Sequence, residues 1–172
     1  KALNTGNLPV PTILKGNQYF DSSLWTGTGN SLAVTNGGFQ PDLVWMKSRS
    51  NATANALVDS LRGVTKVLYS EQTAAEATWS DALTSFDSGG FTIAANSTFN
   101  TINVSPRTYV GWQWKKGATQ GFDIVTFNSG AAGNKTQAHS LGVAPSMMIT
   151  KNRDVTSSWG VWHKSFATPT QG

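Results

Sequence analysis

Gly38–Arg49 reads GFQPDLVWMKSR, and Gly142–Arg153 reads GVAPSMMITKNR. Glycine, proline, lysine and arginine recur at matching places, each displaced by 142 − 38 = 104 residues, so the chain carries an internal repeat. In the first copy Pro41 fixes its own φ and pushes Gln40 toward extended backbone, which aims the chain into the apolar run that follows. Proline is tolerated at the first position of a strand and scarcely deeper in a sheet. Leu43, Val44, Trp45 and Met46 are apolar in succession, so both faces of this short strand are expected to be covered, as in a two-layer sandwich. Alternation puts Leu43, Trp45, Lys47 and Arg49 on one face and Val44, Met46 and Ser48 on the other. Met147, Ile149, Lys151 and Arg153 share a face in the second copy, so each copy leaves the core through a basic end. Lys47 and Arg49 are expected to mark a strand end and to reach for a carboxylate such as Asp59. A basic site for an anionic ligand is the alternative, and its being copied along with the fold weighs against it.

Composition narrows the class. At 172 residues the chain suffices for one good domain, or one domain and part of another, and it is well past the size at which a core needs covalent staples. It has no cysteine, which excludes a disulfide framework and a thiolate metal site. Charged residues make up 13%, about half the usual share, while Ser, Thr, Asn and Gly abound. Such a polar but weakly ionic surface suits extracellular β proteins, lectins and virion parts. The net charge of +4 arises from few acids, and the bases are scattered, with Lys115-Lys116 as the only doublet. Nucleic-acid binding needs a clustered basic footprint, so it is not expected. No apolar run approaches the roughly 20 residues of a membrane helix, and membrane insertion is not expected either. The sequence opens at Lys1 with no methionine or hydrophobic leader, consistent with an initiator or signal that has been removed. Asn51, Asn96, Asn103 and Asn134 head glycosylation sequons, which matter only if a eukaryote secretes the protein.

In chain order, residues 1–16 contain Pro9 and Pro11 and read as an arm or linker. Tyr19–Thr26 is predicted as the first strand and Ser31–Thr35 as a second, followed by the turn signal Asn36-Gly37-Gly38. Asn55–Ser60 is predicted to pair with the central strand, and Val64–Ser70 to follow it. Glu71–Leu83 is the one plausible short helix, through Glu71, Ala75, Trp79 and Leu83, or else a loop with a single turn. Phe86–Phe91 reads as a hairpin around Gly89-Gly90, and Phe91–Ala94 as its return strand. Thr108–Lys115 is the clearest strand, with Val110, Trp112 and Trp114 on one face and Tyr109, Gly111, Gln113 and Lys115 on the other. The indole wall is expected in the core, with an exposed sugar-stacking platform as the alternative. After Gly117–Gly121 the cycle restarts: Phe122–Phe127 resembles the first strand, and Trp159–His163 stands where Asn55–Asp59 stood. The domains expected are therefore an arm over 1–16, a first β-sandwich unit over 17–117, and an incomplete second unit over 118–172. More chain, or a partner chain, is expected to complete the second, because a half-sandwich leaves unpaired edges.

Catalytic and metal chemistry find little support. A glycosidase needs two carboxylates across a cleft, and the nine acids, Asp21, Asp42, Asp59, Glu71, Glu76, Asp81, Asp87, Asp123 and Asp154, fall mostly in turns or strand ends. His139 and His163 could each serve a hydrolase triad, but no G-x-S-x-G elbow accompanies them. Two histidines without cysteine or H-E-x-x-H make no zinc site, and no EF-hand spacing occurs. No catalytic or metal residue, no cofactor and no enzymatic activity are expected, and the ligand-binding residues stay unassigned.

The segments GFQPDLVWMKSRS, ALVDSLRGVTKVLYS, SFDSGGFTIAAN and YVGWQWKKG, followed by GFDIVTF, HSLGVAPSMMITKNRD and WGVWHKSF, resemble a repeated domain of tail-fibre and other virion proteins of tailed bacteriophages. The resemblance covers nearly all of the chain after Gly16 and is most specific at Pro41, Trp45, Lys47, Arg49, Asp59, Arg62, Gly63, Phe86, Phe91, Trp112 and Trp114. It implies an all-β antiparallel sandwich of the jelly-roll, concanavalin A-like lectin type, in an extracellular virion appendage. The partners implied are further copies of the chain as a homo-oligomer, a trimer foremost, other virion proteins, and a host cell-surface glycan. A free carbohydrate-binding module or glycan-processing enzyme on the same scaffold is the alternative.

Overall fold

The structure is a computed structural model that describes residues 13, 15–95, 99, 101–130, 133–134 and 136–166. Most of the expected arm, and the sequon at Asn96, lie outside the described residues. Among the described residues there are eleven strands and a single 3-10 turn at Gly16–Gln18. The strands are β1 (Phe20–Thr26), β2 (Leu32–Val34), β3 (Leu43–Ser48), β4 (Ala56–Asp59), β5 (Lys66–Tyr69), β6 (Ala77–Thr78), β7 (Leu83–Asp87), β8 (Gly90–Ile93), β9 (Thr108–Trp114), β10 (Met147–Thr150) and β11 (Gly160–His163).

All pairings are antiparallel. Six strands form one sheet in the order β1-β9-β3-β4-β5-β6, and three form a second in the order β2-β8-β7. β3 to β6 run as a meander, while β9 returns from far along the chain to lie between β1 and β3. Val44, Met46, Ala56, Val58 and Val67 of the larger sheet pack against Val34, Leu83, Phe91 and Ile93 of the smaller one, and Phe99 and Ile102 join this core. Each Val, Leu, Ile, Met or Phe side chain here taken fully from water contributes about 1.5–3 kcal/mol, so this cluster is a large source of the fold's stability. The expected all-β antiparallel sandwich is thus the architecture found.

The β7–β8 hairpin turns through Ser88-Gly89, with Asp87 opposite Gly90 and Phe86 opposite Phe91. Gly90 has φ 153°, and a Cβ there would lie 2.0 Å from the Val34 carbonyl oxygen, so the turn admits no other residue without a shift.

Two local expectations fail. Glu71–Leu83 contains no helix: it runs through turns and β6. Its backbone donors are taken by distant acceptors, Glu76 N–H by Arg153 O (2.8 Å) and Trp79 N–H by Thr65 O (2.8 Å), and Asp81, Ala82 and Leu83 are buried in succession, which a single helix face cannot do. Phe122–Phe127 does not repeat the first strand either: it is irregular apart from a bridge between Gly117 and Phe122.

β10 and β11 pair only with each other. Their register is that of β3 and β4 moved by 104. Leu43 faces Asp59 and Met147 faces His163, Val44 faces Val58 and Met148 faces Trp162, and the other two pairs correspond likewise. The duplicated sequence therefore builds the same hairpin twice. Val44 and Val58 are wholly buried, whereas Met148 is 44% and Trp162 42% exposed.

Candidate functional site

The feature best placed to meet a partner is the outer face of the six-stranded sheet. β9 is the middle of the apolar patch: Trp112 is cross-strand to Trp45 and Ser22, Trp114 to Leu43 and Phe20, and Val110 to Lys47 and Leu24. The Trp45 and Trp112 rings lie 5.5 Å apart at 54°, Phe20 and Trp114 5.0 Å apart at 49°, and Trp114 and Phe122 6.3 Å apart. Trp45 Nε1–H donates to Ser70 Oγ (3.2 Å), which holds that indole in place, and Lys47 Nζ donates to Asn55 Oδ1 (3.1 Å) at the patch edge. The three indoles are half-buried, while Phe20 is 45% and Leu24 58% exposed.

This overturns the expectation that the indole wall is core. Tyr109, Gly111 and Gln113 are the inward residues of β9, and Tyr109 and Gln113 are fully buried. The apolar bulk on the inner side comes from Trp25, whose ring stacks on Tyr109 at 5.6 Å, meets Phe91 edge-on, and donates Nε1–H to Ile102 O (3.0 Å). Gly111 makes room for it, since a Cβ there would come within 3.0 Å of that ring. Alternation decides which residues share a face, and a side chain from another strand decides which face is inside.

Lys47 and Arg49 do not hold Asp59. Its partner is Arg62, three residues on: Nε donates to Asp59 Oδ2 (2.5 Å), Nη1 to Glu76 Oε2 (3.0 Å) and Nη2 to Leu57 O (3.1 Å). Asp59 Oδ1 accepts from the N–H groups of Leu61 (3.1 Å) and Arg62 (2.8 Å), closing a tight turn onto Gly63. The Arg62 and Asp59 side chains are only 4% and 5% exposed, so the cluster is structural. Its legible trace is the Asp-x-x-Arg-Gly spacing, because an aspartate that caps its own following N–H groups starts a turn.

The remaining acids also serve local geometry. Asp42 accepts from Ser60 Oγ (2.7 Å) and Lys116 N–H (2.9 Å), Asp87 from Thr92 Oγ1 (2.7 Å), and Asp81 from Phe99 N–H (2.7 Å). Glu71 accepts from Asn55 N–H (3.0 Å) and Asp21 from Ser22 N–H (2.7 Å). Burial pushes the Asp123 carboxyl up, but the N–H and hydroxyl of Ser140, the Ile124 N–H and the Lys116 charge outweigh it, and its pKa lies below the ordinary value. Asp154 lies on an exposed loop. His139 and His163 each accept a backbone N–H two residues on, from Leu141 and Ser165. Among the described residues no three His, Asp or Glu converge as metal ligands, and no helix is long and apolar enough to cross a membrane. Of the sequons, Asn103 is 1% exposed, and its amide is tied to Thr28 N–H, Asn30 O and Ala94 O.

The second copy is joined to the first through its hairpin loop. Ser157 N–H donates to Thr73 O (2.9 Å), Trp159 Nε1–H is shared between Gln72 O (3.0 Å) and Tyr69 O (3.3 Å), and Arg153 approaches Glu76 at 3.7 Å. Arg153 is the repeat counterpart of Arg49, yet it joins the buried cluster from outside while Arg49 stays exposed.

No curated protein and no solved structure matches this chain. Residues 15–172 match one family, described as a domain of unknown function (DUF7483), and with the match spanning almost the whole sequence, the chain belongs to that family.

Proposed function

We propose that this chain is a structural or host-receptor-binding domain of a bacteriophage tail fibre or another virion appendage, built from tandem 104-residue units of a jelly-roll, concanavalin A-like sandwich. The observation that supports it most is the hairpin made twice in one register, since a rigid unit that is copied along the chain suits an elongated appendage. In such an assembly, weak contacts multiply by valency, and no single site has to bind tightly. The half-buried indole face fits the same reading, because aromatic side chains combine a large apolar area with a polar edge and serve either a neighbouring copy or the apolar face of a sugar. In this reading the domain is not an enzyme, its carboxylates hold turns and strand ends, and its partners are further copies of itself, other virion proteins and a host surface glycan.

The indole face also favours a second reading, a free carbohydrate-binding module or glycan-processing protein on the same scaffold. Native mass of the full-length protein separates the two: a stable homo-oligomer, with a trimer foremost, is expected for an appendage, and a monomer would overturn it. A glycan array of bacterial surface polysaccharides then tests adhesion, and silence across the array leaves the structural role alone.

A further inference from the structure

At one end of the sandwich the rims of the two sheets border an open surface cleft of about 450 Å³. Gln18 and Tyr19 come from the approach to β1, Phe39 and Gln40 from the β2–β3 crossover, Ser88 from the β7–β8 turn, and Lys115 from the residue after β9. The walls are tied together by two main-chain bonds and one from a side chain. Lys115 N–H donates to Tyr19 O (2.8 Å), Gly37 N–H to Gly89 O (3.0 Å), and the Gln40 carboxamide to Phe86 O (2.9 Å). Phe39, 5% exposed, closes the floor. A cleft whose segments are held by these hydrogen bonds is formed before any ligand arrives, which lowers the cost of binding.

Its charge is one-sided. Lys115 is the only charged lining residue and makes no ion pair among the described residues. The acids nearest in sequence to the lining, Asp21, Asp42 and Asp87, accept local hydrogen bonds from Ser22 N–H, from Ser60 and Lys116 N–H, and from Thr92, and none of them forms a salt bridge with Lys115. A half-buried lysine that forms no salt bridge favours an anion. Around it stand two carboxamides, a phenol and a hydroxyl, a dense set of donors and acceptors suited to several hydroxyls on one small ring. In the second copy of the repeat Phe39 and Gln40 are replaced by Val143 and Ala144, so the cleft lining of the first copy is not reproduced there.

We propose that this rim cleft binds a carboxylated sugar residue of a surface polysaccharide, with Lys115 against the carboxylate and Gln18, Tyr19, Gln40 and Ser88 around the ring hydroxyls. It rests on the receptor-binding reading above and names the chemical class of receptor.

The test is an NMR titration of the whole chain with glucuronic acid and N-acetylneuraminic acid, against glucose and acetate, at ligand concentrations of about 10 mM because single-sugar affinities lie near the millimolar range. An acidic sugar should shift the Tyr19, Ser88 and Lys115 amides, with glucose and acetate each at least about ten-fold weaker. Lys115→Gln should weaken binding at least about ten-fold, and Ser88→Asp, which sets a carboxylate in the cleft, should abolish it, both with an unchanged unfolding midpoint. Lys164→Gln, which removes an equal charge elsewhere, should leave it intact. No shift with either acidic sugar, acetate binding as well as the sugars, or full affinity in Lys115→Gln overturns the cleft. Neutral-glycan binding by an oligomer with a silent cleft would leave the appendage reading standing, whereas an acidic-sugar response in a monomeric protein would sink the appendage and keep the cleft.

Discussion

Arg62 shows how the worth of a charge depends on what surrounds it. Removing it leaves Asp59 and Glu76 in a nearly dry site with an uncompensated negative charge, and breaking a buried pair in this way costs about 3–5 kcal/mol. Arg62→Met should therefore lower stability by about that much, read from the urea midpoint at constant m. Arg153→Met, at 3.7 Å and 35% exposed, should cost under about 1 kcal/mol because solvent screens it. Asp123 gives the pH-dependent counterpart. Its folded pKa is lowered, so the stability it contributes is fully present above the ordinary carboxylate value of about 3.9 and is lost as pH falls through the lower folded value. The Asp123 carboxyl followed by NMR should titrate below an exposed aspartate, with the Ser140 amide moving at the same midpoint. Ser140→Ala, which deletes one of the donors, should raise that midpoint.

Among the elements, β9 separates the two meanings of an aromatic residue on a strand. Phe91, which faces β9 across the sandwich, is wholly buried, and Phe91→Ala should cost about 3–5 kcal/mol. Trp112, larger but on the outer face, should cost about 1–2 kcal/mol on Trp112→Ala, since only part of its ring leaves water on folding. Thermal and urea unfolding of the two variants decide the order, and a Trp112 variant as damaging as Phe91→Ala would return the indoles to the core. The two copied hairpins make a second comparison. Backbone register is alike in both, but β3 and β4 are flanked by β9 and β5 while β10 and β11 have only each other, so a difference in amide protection reports the flanking strands together with the covering sheet. Hydrogen exchange at Met148 and Trp162 should be at least about a hundred-fold faster than at Val44 and Val58, and Trp159→Ala should speed it further by releasing the loop from Tyr69 and Gln72.

For the whole molecule, the decisive relation is between one covered hairpin and one exposed hairpin of equal register. In the first unit β2, β8 and β7 cover β3 and β4 from the inside, and the core forms between sheets whose strands lie far apart in sequence. In the second unit, Met147, Met148, Ile149, Val161 and Trp162 are all more than 40% exposed. This much apolar surface on one short hairpin is unlike scattered surface residues. The docked loop that carries Arg153, Ser157 and Trp159 fixes one end of that hairpin to the first sandwich.

The sequence by itself determined most of the strands, though not β6 and not the irregular Phe122–Phe127, together with the antiparallel all-β class, the Phe86–Phe91 hairpin and the 104-residue repeat. Each of these follows from short-range causes: side-chain alternation, a proline at a strand entrance, and a glycine where the backbone closes on itself. Much of the candidate site was legible in the same way, since the spacing of Val110, Trp112 and Trp114 already put them on one face. Only the tertiary structure decided that this face looks outward, because Trp25, 86 residues before Gly111, takes the space inside. It also decided that Glu71–Leu83 would be drawn out of its helical preference by acceptors at Thr65 and Arg153, and that Asp59 would choose Arg62 over Lys47. Packing between segments distant in the chain settles such choices, and local pattern carries no record of it.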